Sequence, residues 1–364
     1  MLNFFSKQKS AIGLDISDTM LRLMQLEKQS SGFFPSAFSE VPLTKGIIQD
    51  SIIKNPEQLT KSILRGINQP VYGKYDSSFV AVSLSESKSF VRVISVPKMS
   101  EEEAQEAVPF EAEQYIPLSA DQVYMDFQIL EMPESNDGKM KVVIFATPKN
   151  LVDEYLKVVK NAKLKPFVAE VESASVARSL ISESENDTPT LILDISAVRS
   201  NLVIHDFGSL QFTSSLPVAG RTLTTQISQR MTISEEEAEK LKQQVGLLSQ
   251  KDGGKLKEIL VPQLHSIVEA VKNAINFYRE HSEGSREIKQ ILLCGGSSKL
   301  KGLTQFLNTE LSESGRKGKI VVKIGDPWVN VLNSNIRKVP PISKSDSISY
   351  TTVIGLALRG KEFE

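Results

Sequence analysis

The sequence is poor in the residues that build disulfides and metal sites. Among 364 residues there are one cysteine and three histidines. Because Cys294 has no partner for an intrachain disulfide, the sequence fits a reducing compartment and predicts a cytoplasmic protein. His205, His265 and His281 lack the mutual spacing of zinc ligands, so we expect no zinc site.

Long apolar runs and an excess of charge of one sign are also absent. A membrane-spanning helix needs about 18 or more consecutive apolar residues. The chain has no such run, so we expect membrane association only through partners. A formal net charge of -1 gives no reason to expect nucleic acid as a partner. The length of the chain predicts two lobes or more.

An internal repeat divides the chain into two halves. Residues 13–17 read GLDIS and residues 192–196 read ILDIS, and each copy leads through a short polar turn into a second apolar stretch. Both copies predict a β-hairpin with an aspartate, Asp15 or Asp194, at the end of its first strand. A carboxylate there suits a cleft better than a core, so we expect two related lobes facing each other across a ligand cleft. The alternative is a coincidence between two ordinary hairpins.

The segment between the hairpins predicts a small inserted α+β unit at about residues 85–147. Ser100 and Glu103 form a capping box that starts a helix in this unit. Pro109 lies inside the helical pattern and predicts a kink or a break. Strands of the unit are expected at 90–96, 124–130 and 141–146.

A glycine pair and a Glu–Lys pair lie in the second half of the chain. Gly295 and Gly296 follow a buried strand, where glycine lets the backbone approach a ligand closely. Glu239 and Lys242 lie one helical turn apart and share a helix face. Alone, the first pair is typical of an ordinary turn and the second of a surface ion pair. Together with the two hairpins, they occur in the order of an actin-like nucleotide clamp.

Six longer strings are more specific than these features. They are VPKMSEEE at 96–103, FEAEQYIP at 110–117, ATPKNLVD at 146–153, ISEEEAEKLK at 233–242, INFYR at 275–279 and IGLALRG at 354–360. Together they resemble the actin, Hsp70 and FtsA superfamily and, within it, the PilM family of type IV pilus assembly proteins. This resemblance covers nearly the whole chain. It implies an α/β, actin-like, two-lobed fold with duplicated β-sheet-plus-helix cores and an inserted α+β subdomain.

The resemblance implies four subdomains, named 1A, 1C, 2A and 2B. They are expected at 1–84 with 148–187 and 343–364 for 1A, 85–147 for the inserted 1C, 188–228 with 285–342 for 2A, and 229–284 for 2B.

The resemblance also implies ATP or ADP with magnesium between the lobes. The carboxylates of Asp15 and Asp194 would hold the magnesium ion through water, which suits a hard cation that keeps most of its hydration. The residues expected to contact the nucleotide come from both hairpins, the helix of the Glu–Lys pair and the glycine turn. They are Asp15, Ser17, Asp18, Thr19, Asp194, Ser196, Arg199, Asn201, Gly220, Glu239, Lys242, Gly295, Gly296 and Ser297.

A partner follows from the same resemblance: the amino-terminal tail of the inner-membrane protein PilN. Through PilN and PilO, the chain would connect the membrane platform to the pilus motor ATPases, as a cytoplasmic protein held peripherally at the inner membrane. The tail is expected to dock between 1A and 1C by backbone pairing and side-chain pockets. The residues expected in this groove are Val80, Val82, Phe90, Val91, Val93, Phe110, Tyr115 and Ile116.

Two departures from the family pattern keep alternatives open. Ser17 and Ser196 stand where the family generally has glycine, so we expect a restricted backbone and crowded phosphates at both turns. No residue is evidently poised to activate water, so we expect little or no ATPase activity. The main hypothesis is a nucleotide-responsive scaffold. The alternatives are an adaptor that works without nucleotide and, less favoured, a true ATPase. Pro109 predicts a differently shaped partner groove.

Overall fold

The structure is a computed structural model that describes residues 10–29, 32–131, 138–248, 254–282, 286–312, 319–332 and 341–360. Within these residues the strands are β1 (Ile12–Ile16), β2 (Met20–Gln29), β3 (Gly32–Pro42), β4 (Ile48–Gln49), β5 (Ile52–Ile53), β6 (Tyr72–Gly73), β7 (Phe79–Leu84), β8 (Phe90–Pro97), β9 (Val123–Ile129), β10 (Lys139–Pro148), β11 (Lys165–Val171), β12 (Thr190–Ile195), β13 (Ser200–Asp206), β14 (Ser209–Leu216), β15 (Gln290–Cys294) and β16 (Val321–Ile324). The α-helices are α1 (Pro56–Asn68), α2 (Glu101–Ala112), α3 (Lys149–Asn161), α4 (Glu172–Leu180), α5 (Gly220–Met231), α6 (Glu235–Gln244), α7 (Lys255–His281), α8 (Leu303–Leu311), α9 (Lys344–Ser347) and α10 (Thr351–Arg359).

Two large sheets organise these elements. The first has the strand order β11-β7-β1-β2-β3-β6, and the second has the order β16-β15-β12-β13-β14-β8-β10-β9. We call the first sheet with its helices the first lobe, and β12–β16 with their helices the second lobe. Strands β8, β10 and β9 belong to the inserted unit, and they extend the second sheet because β8 pairs with β14 at Arg92 and Phe212.

The two predicted hairpins are present and have the same topology. Strand β1 pairs antiparallel with β2 on one side and parallel with β7 on the other. Strand β12 likewise pairs antiparallel with β13 and parallel with β15. Each aspartate-bearing strand therefore occupies the same place in its sheet, which makes a coincidence between unrelated hairpins untenable.

Helices cover both faces of the sheets. In the first lobe, α1 and α3 pack on one face and α10 packs on the other. In the second lobe, α5 to α8 pack on one face and α4 packs on the other. Helices α4 and α10 meet closely, since a Cβ built on Gly355 would lie 1.8 Å from the carbonyl oxygen of Ser175. This close approach joins the two lobes at one side and leaves a cleft between their hairpins.

Helix starts follow the predicted capping boxes. Ser100 with Glu103 caps α2, and Ser234 with Glu237 caps α6, with both reciprocal hydrogen bonds formed at each cap. Of the kink or break expected at Pro109, the break does not occur, because α2 continues through that residue and ends at Ala112, and the kink stays a prediction. Pro109 lies in the last turn, and the N–H that it lacks would have been donated back to the carbonyl oxygen of Gln105, so the three residues that follow keep their own N–H donors. The division into subdomains 1A, 1C, 2A and 2B remains a prediction.

Candidate functional site

Asp15 and Asp194 line one cavity between the lobes. Its volume is ≈ 210 Å³, and its walls come from both hairpins, the glycine turn and the start of α10. In the register of the hairpins, Asp15 lies opposite Arg22, and Asp194 lies opposite Asn201. The two carboxylates therefore share one opening, which we call the cleft.

Asp15 is buried beside a positive charge. Burial raises the pKa of Asp15 above its usual range, while Arg22 and the Ser83 hydroxyl lower it in part. The Ser83 hydroxyl donates to Oδ1 of Asp15 at 2.9 Å. Arg22 is held in place by Glu40, with 2.6 Å between Nη2 and Oε1, and its guanidinium lies over the ring of Tyr350. The sequence reasoning did not single out Arg22 as part of the site.

Asp194 is also buried, and neighbouring groups offset less of its charge. Burial raises its pKa from 3.8 to about 6, the charge of Asp15 adds to the rise, and Arg22 lowers the pKa by a smaller amount. The hydroxyl of Ser196 donates to Oδ1 of Asp194 at 2.9 Å and lowers the pKa in part. Gly295 packs directly on this carboxylate, since a Cβ at Gly295 would lie 2.1 Å from Oδ1. Gly295 also has a φ of 81°, in the left-handed region that favours glycine.

Ser17 and Ser196 do not strain their turns, contrary to expectation. Neither residue has a positive φ. The hydroxyl of Ser17 donates to the carbonyl oxygen of Met20 at 2.9 Å and so closes its own turn. The N–H of Ser196 donates to the carbonyl oxygen of Arg199 at 3.1 Å. A Cβ is therefore compatible with both backbones, and the predicted crowding of phosphates at these turns stays a prediction.

Two further carboxyl groups were missed in the sequence: Glu172 lines the cleft with the aspartates, and Glu86 lies beside Glu172. Burial and the charges of Asp15, Asp194 and Glu86 raise the pKa of Glu172 well above its usual range. Burial also raises the pKa of Glu86, whose Oε2 is buried and has no hydrogen-bond partner among the described residues. The side-chain N–H of Asn201 donates to Oε2 of Glu172 at 3.2 Å. These groups come from separate elements, so no local motif in the sequence signals them.

This set of oxygens fits a hydrated cation. Burial raises the pKa of Asp15, and burial together with the neighbouring carboxylates raises the pKa values of Asp194 and Glu172. A cation among these three groups would relieve their repulsion. The Oδ1 of Asn201 is buried and has no hydrogen-bond partner in the part of the chain that the structure describes. In the described residues, however, no group of three or more His, Cys, Asp or Glu side chains is placed to hold a metal ion directly. Contact through water is therefore the arrangement that these residues fit.

The remaining polar residues of the two hairpin turns are tied to their surroundings. Oδ1 of Asp18 accepts a hydrogen bond from the N–H of Ser51 at 3.1 Å. Nη2 of Arg199 lies 3.3 Å from Oδ1 of Asp50, so this pair crosses from the second lobe to the first. Nε of Arg199 is buried and has no partner in the described part of the chain. Thr19 lines the cleft and also the cavity next to it.

A wider cavity of ≈ 760 Å³ adjoins the cleft, and we call it the wide cavity. Thr19, Ala197, Gly296 and Ser349 line both spaces, so they form one connected depression. The predicted residues that line the wide cavity are Thr19, Gly220, Glu239, Lys242, Gly296 and Ser297. The structure thus brings the glycine turn and the Glu–Lys pair to the same opening as the two aspartates.

Lys242 lines the wide cavity but has no free donor for a ligand. Its side chain is 8% exposed, and Nζ donates to the carbonyl oxygen of Gly220 at 2.9 Å. The same nitrogen donates to Oγ1 of Thr224 and Oε2 of Glu239, each at 2.7 Å. Three donors meet three acceptors, so Lys242 fixes α6 against α5. The expectation that Lys242 reaches a nucleoside is corrected: Glu239, at 41% exposed, is the accessible member of the pair.

The predicted partner groove is only partly at the surface. Val80 and Val82 are fully buried in the core of the first lobe, because β7 is an interior strand covered by α3 and α1. They cannot contact a peptide, and that part of the prediction is wrong. Phe110 is 74% exposed on α2. Val93 is half-buried on β8.

Phe90, Val91, Tyr115 and Ile116 line a cavity of ≈ 440 Å³ between the inserted unit and the second lobe. Its opposite wall includes Arg199 and residues 213–215 of β14. This cavity faces the second lobe, whereas the expected groove lies between the inserted unit and the first lobe.

A different cavity lies where the first lobe meets the inserted unit. Its volume is ≈ 600 Å³, and we call it the seam groove. The first lobe contributes Ile52 and the start of α3, while the inserted unit contributes Leu118 and Gln122. The residues that line it are Ile52, Lys88, Leu118, Gln122, Pro148, Lys149, Asn150 and Leu151. Nearby, β9 is the edge strand of its sheet.

None of the helices in the described residues is long and apolar enough to cross a membrane.

Comparisons with known proteins agree with this architecture. The model of the family described as type IV pilus assembly protein PilM matches residues 13–361. A solved PilM-PilN type IV pilus biogenesis complex is 25% identical, covering 96% of this chain and 98% of that chain with a TM-score of 0.78. MreB 5 of Spiroplasma citri bound to AMPPNP is 13% identical, covering 98% and 97% with a TM-score of 0.56.

Cell division protein FtsA of Buchnera aphidicola subsp. Schizaphis graminum is 23% identical over 251 residues. The match takes 62% of this chain and 56% of that protein. The chain therefore spans a little over half the length of the relatives that it matches in this way.

The duplicated hairpins, the joined lobes and the cleft between them define an actin-like protein, as the sequence predicted. The family model extends over nearly the whole chain, so it also identifies the family within this class. The chain belongs to the family of type IV pilus assembly protein PilM.

Proposed function

We propose that this chain is an actin-like scaffold of type IV pilus assembly that holds ATP or ADP in its cleft and binds the amino-terminal tail of PilN. The observation that carries the proposal is the connected depression formed by the cleft and the wide cavity. Family membership and the likeness to a PilM-PilN complex support the pilus role. The fold shared with an MreB 5 bound to AMPPNP supports the nucleotide.

In this proposal the nucleotide extends along the depression. The nucleoside occupies the wide cavity beside Glu239, and the phosphates point to the cleft near the two hairpin turns. Magnesium, held through water by Asp15 and Asp194, would neutralise phosphate charge beside these carboxylates. Ser17 and Ser196 leave the turns unstrained, which favours retained binding over an adaptor without nucleotide.

The PilN tail is proposed to dock in the seam groove. An apolar floor from Ile52, Leu118 and Leu151 suits apolar side chains of an extended segment. The edge strand β9 begins directly after Gln122 of the groove and offers a backbone for strand pairing. Lys88 and Lys149 give this groove a positive rim. Membrane association would then come through PilN, and contact with PilO and the motor ATPases through the assembled platform.

Nucleotide binding is tested by thermal unfolding with and without ATP and magnesium. A ligand at about 100 times its Kd stabilises the native state by about 2.7 kcal/mol, so we expect Tm to rise by several degrees. The shift should shrink without magnesium and vanish in Asp194→Ala. As a matched control, Glu57→Ala removes an exposed carboxylate on α1 and should keep the full shift. Identical melting of the wild type with and without nucleotide would support the adaptor that works without it.

Tail binding is tested by calorimetry with a synthetic peptide of the PilN amino terminus. We expect Ile52→Asp to weaken binding at least about tenfold, because it places a charge on the apolar floor. Phe110→Asp is the matched control: Phe110 is more exposed than Ile52 but lies outside the seam groove. Absence of heat with the wild type would contradict the adaptor role. Weakening by Phe110→Asp alone would move the docking site to α2.

A further inference from the structure

The hairpin β4–β5 (Ile48–Gln49 and Ile52–Ile53) connects the cleft to the seam groove. Its two turn residues, Asp50 and Ser51, have φ values of 50° and 63°. Two consecutive left-handed residues form the tight turn that matches the twist of a two-residue hairpin. The backbone at Asp50 and Ser51 is thus set by the hairpin itself, and the turn moves as one piece with its strands.

Ser51 is anchored in the first lobe by three hydrogen bonds. Its N–H donates to Oδ1 of Asp18 at 3.1 Å, and its hydroxyl donates to Oγ of Ser85 at 2.8 Å. The hydroxyl of Tyr155 donates to the carbonyl oxygen of Ser51 at 3.0 Å. Ser51, Asp18 and Ser85 all line the cleft, so the turn forms part of its wall.

The next residue belongs to the other site. Ile52 is 38% exposed and lines the seam groove. Adjacent residues of one rigid turn therefore touch the proposed nucleotide site and the proposed tail site. A change in the position of the turn must alter both walls together.

Asp50, the other residue of the turn, contacts Arg199 of the second lobe. Asp50 lies 3.3 Å from Arg199, and the side chains of this pair are 58% and 27% exposed. Such a solvent-exposed pair is weak. A phosphate beside Arg199 would form stronger, charge-assisted hydrogen bonds and would also satisfy the buried Nε that has no partner in the described residues. Arg199 lines the cleft, so phosphates of a bound nucleotide come within its reach.

We propose that the hairpin β4–β5 couples the two sites, with the Asp50–Arg199 pair as its cross-lobe contact. The inference rests on the proposed function. Phosphates in the cleft draw Arg199 away from Asp50, the turn loses its hold on the second lobe, and the wall of the seam groove at Ile52 becomes less fixed. The tail then binds more weakly. By linkage, the bound tail weakens nucleotide binding by the same factor.

The test measures the Kd of the PilN tail peptide with and without AMPPNP and magnesium. We expect the nucleotide to weaken tail binding by about fivefold in the wild type. Asp50→Asn keeps the shape of the side chain and removes its charge. This variant should bind the peptide about fivefold more weakly without nucleotide, and nucleotide should then add no further loss. Glu57→Gln, an exposed carboxylate on α1, should behave as the wild type.

The outcomes separate the inference from the function on which it rests. If the wild type binds both ligands but the peptide Kd is the same with and without nucleotide, the coupling is overturned and the proposed function stands. If Asp50→Asn keeps the wild-type ratio, the hairpin contact is not the coupling element. Failure of either ligand to bind the wild type would overturn the proposed function and the inference together.

Discussion

The two Asp-Ile-Ser hairpins share a sequence and a place in their sheets, but they differ in what faces the aspartate. Asp15 lies opposite Arg22 in the hairpin register, and the equivalent position opposite Asp194 is Asn201. The first carboxylate therefore has a cation beside it. The second has an amide and a serine hydroxyl.

The two copies of the motif therefore differ in how the charge of their carboxylate is offset. The first hairpin carries its own charge compensation through Arg22, which Glu40 and Tyr350 hold in place. The second leaves a buried carboxylate whose pKa reaches about 6, so it gains most from an external cation. We infer that Asp194 depends more strongly than Asp15 on the magnesium proposed for the cleft.

The largest effect that would test the comparison concerns Gly295, which packs on Asp194. Gly295→Ala forces a Cβ to within 2.1 Å of Oδ1 of Asp194 and 2.6 Å of the carbonyl oxygen of Ile195, at a φ of 81°. We expect the free energy of unfolding to fall by about 3 kcal/mol or more, because backbone atoms cannot move aside cheaply. Urea denaturation followed by circular dichroism measures this change.

The adjacent glycine provides the matched control. A Cβ at Gly296 would meet only Oγ of Ser349, at 3.5 Å, and Gly296 has no positive φ. Gly296→Ala should change stability by less than about 1 kcal/mol. If both variants lost the same stability, the close packing on Asp194 would not be the reason that position 295 requires glycine.

A smaller effect tests the charge difference directly. Because burial raises the pKa of Asp194 from 3.8 to about 6, the folded protein binds this proton more tightly than the unfolded chain does. The charged carboxylate therefore lowers stability at neutral pH by about 3 kcal/mol, and the loss disappears as the pH falls from about 6 towards 4. Asp194→Asn should stabilise the ligand-free protein by about 2 to 3 kcal/mol at pH 7.5.

Asp15→Asn is the counterpart in the first hairpin, and it should stabilise less because Arg22 is the main group that offsets the charge of Asp15, whereas it is the smallest influence on the pKa of Asp194. Denaturation at pH 7.5 and 4.5 compares the variants, and the gain from Asp194→Asn should fall to about 1 kcal/mol at the lower pH. Destabilisation by Asp194→Asn at pH 7.5, or a larger gain from Asp15→Asn, would contradict the proposed division between the hairpins.

Much of the fold could be read from local sequence. The paired GLDIS and ILDIS strings gave two strands with the same position in their sheets, and the capping boxes at Ser100 and Ser234 gave two helix starts. The burial of Val80 and Val82 could not be read in this way. Whether β7 is an interior strand depends on its parallel pairing with β1 and β11, which are distant in sequence.

The site was predictable where its residues belong to motifs. Asp15, Asp194 and Gly296 carry local signals and line the cleft. Glu172 carries none, because its pKa and position depend on elements that meet only after the lobes pack. Arg22 could have been found, since the predicted hairpin register places a residue of β2 opposite Asp15.

The smallest effect distinguishes the two serines. Ser17 uses its hydroxyl to close its own turn on Met20, whereas Ser196 donates its hydroxyl to the Asp194 carboxylate. Ser17→Ala and Ser196→Ala should each lower the free energy of unfolding by about 1 kcal/mol at pH 7.5, the usual net contribution of one hydrogen bond.

The pH dependence of the two losses should differ. Loss of the Ser196 hydroxyl raises the pKa of Asp194 further, so the cost of Ser196→Ala should shrink as Asp194 takes up its proton below pH 6, while the cost of Ser17→Ala stays constant. Parallel pH profiles would mean that Ser196, like Ser17, only shapes its turn and that the hairpins differ less than their carboxylates suggest.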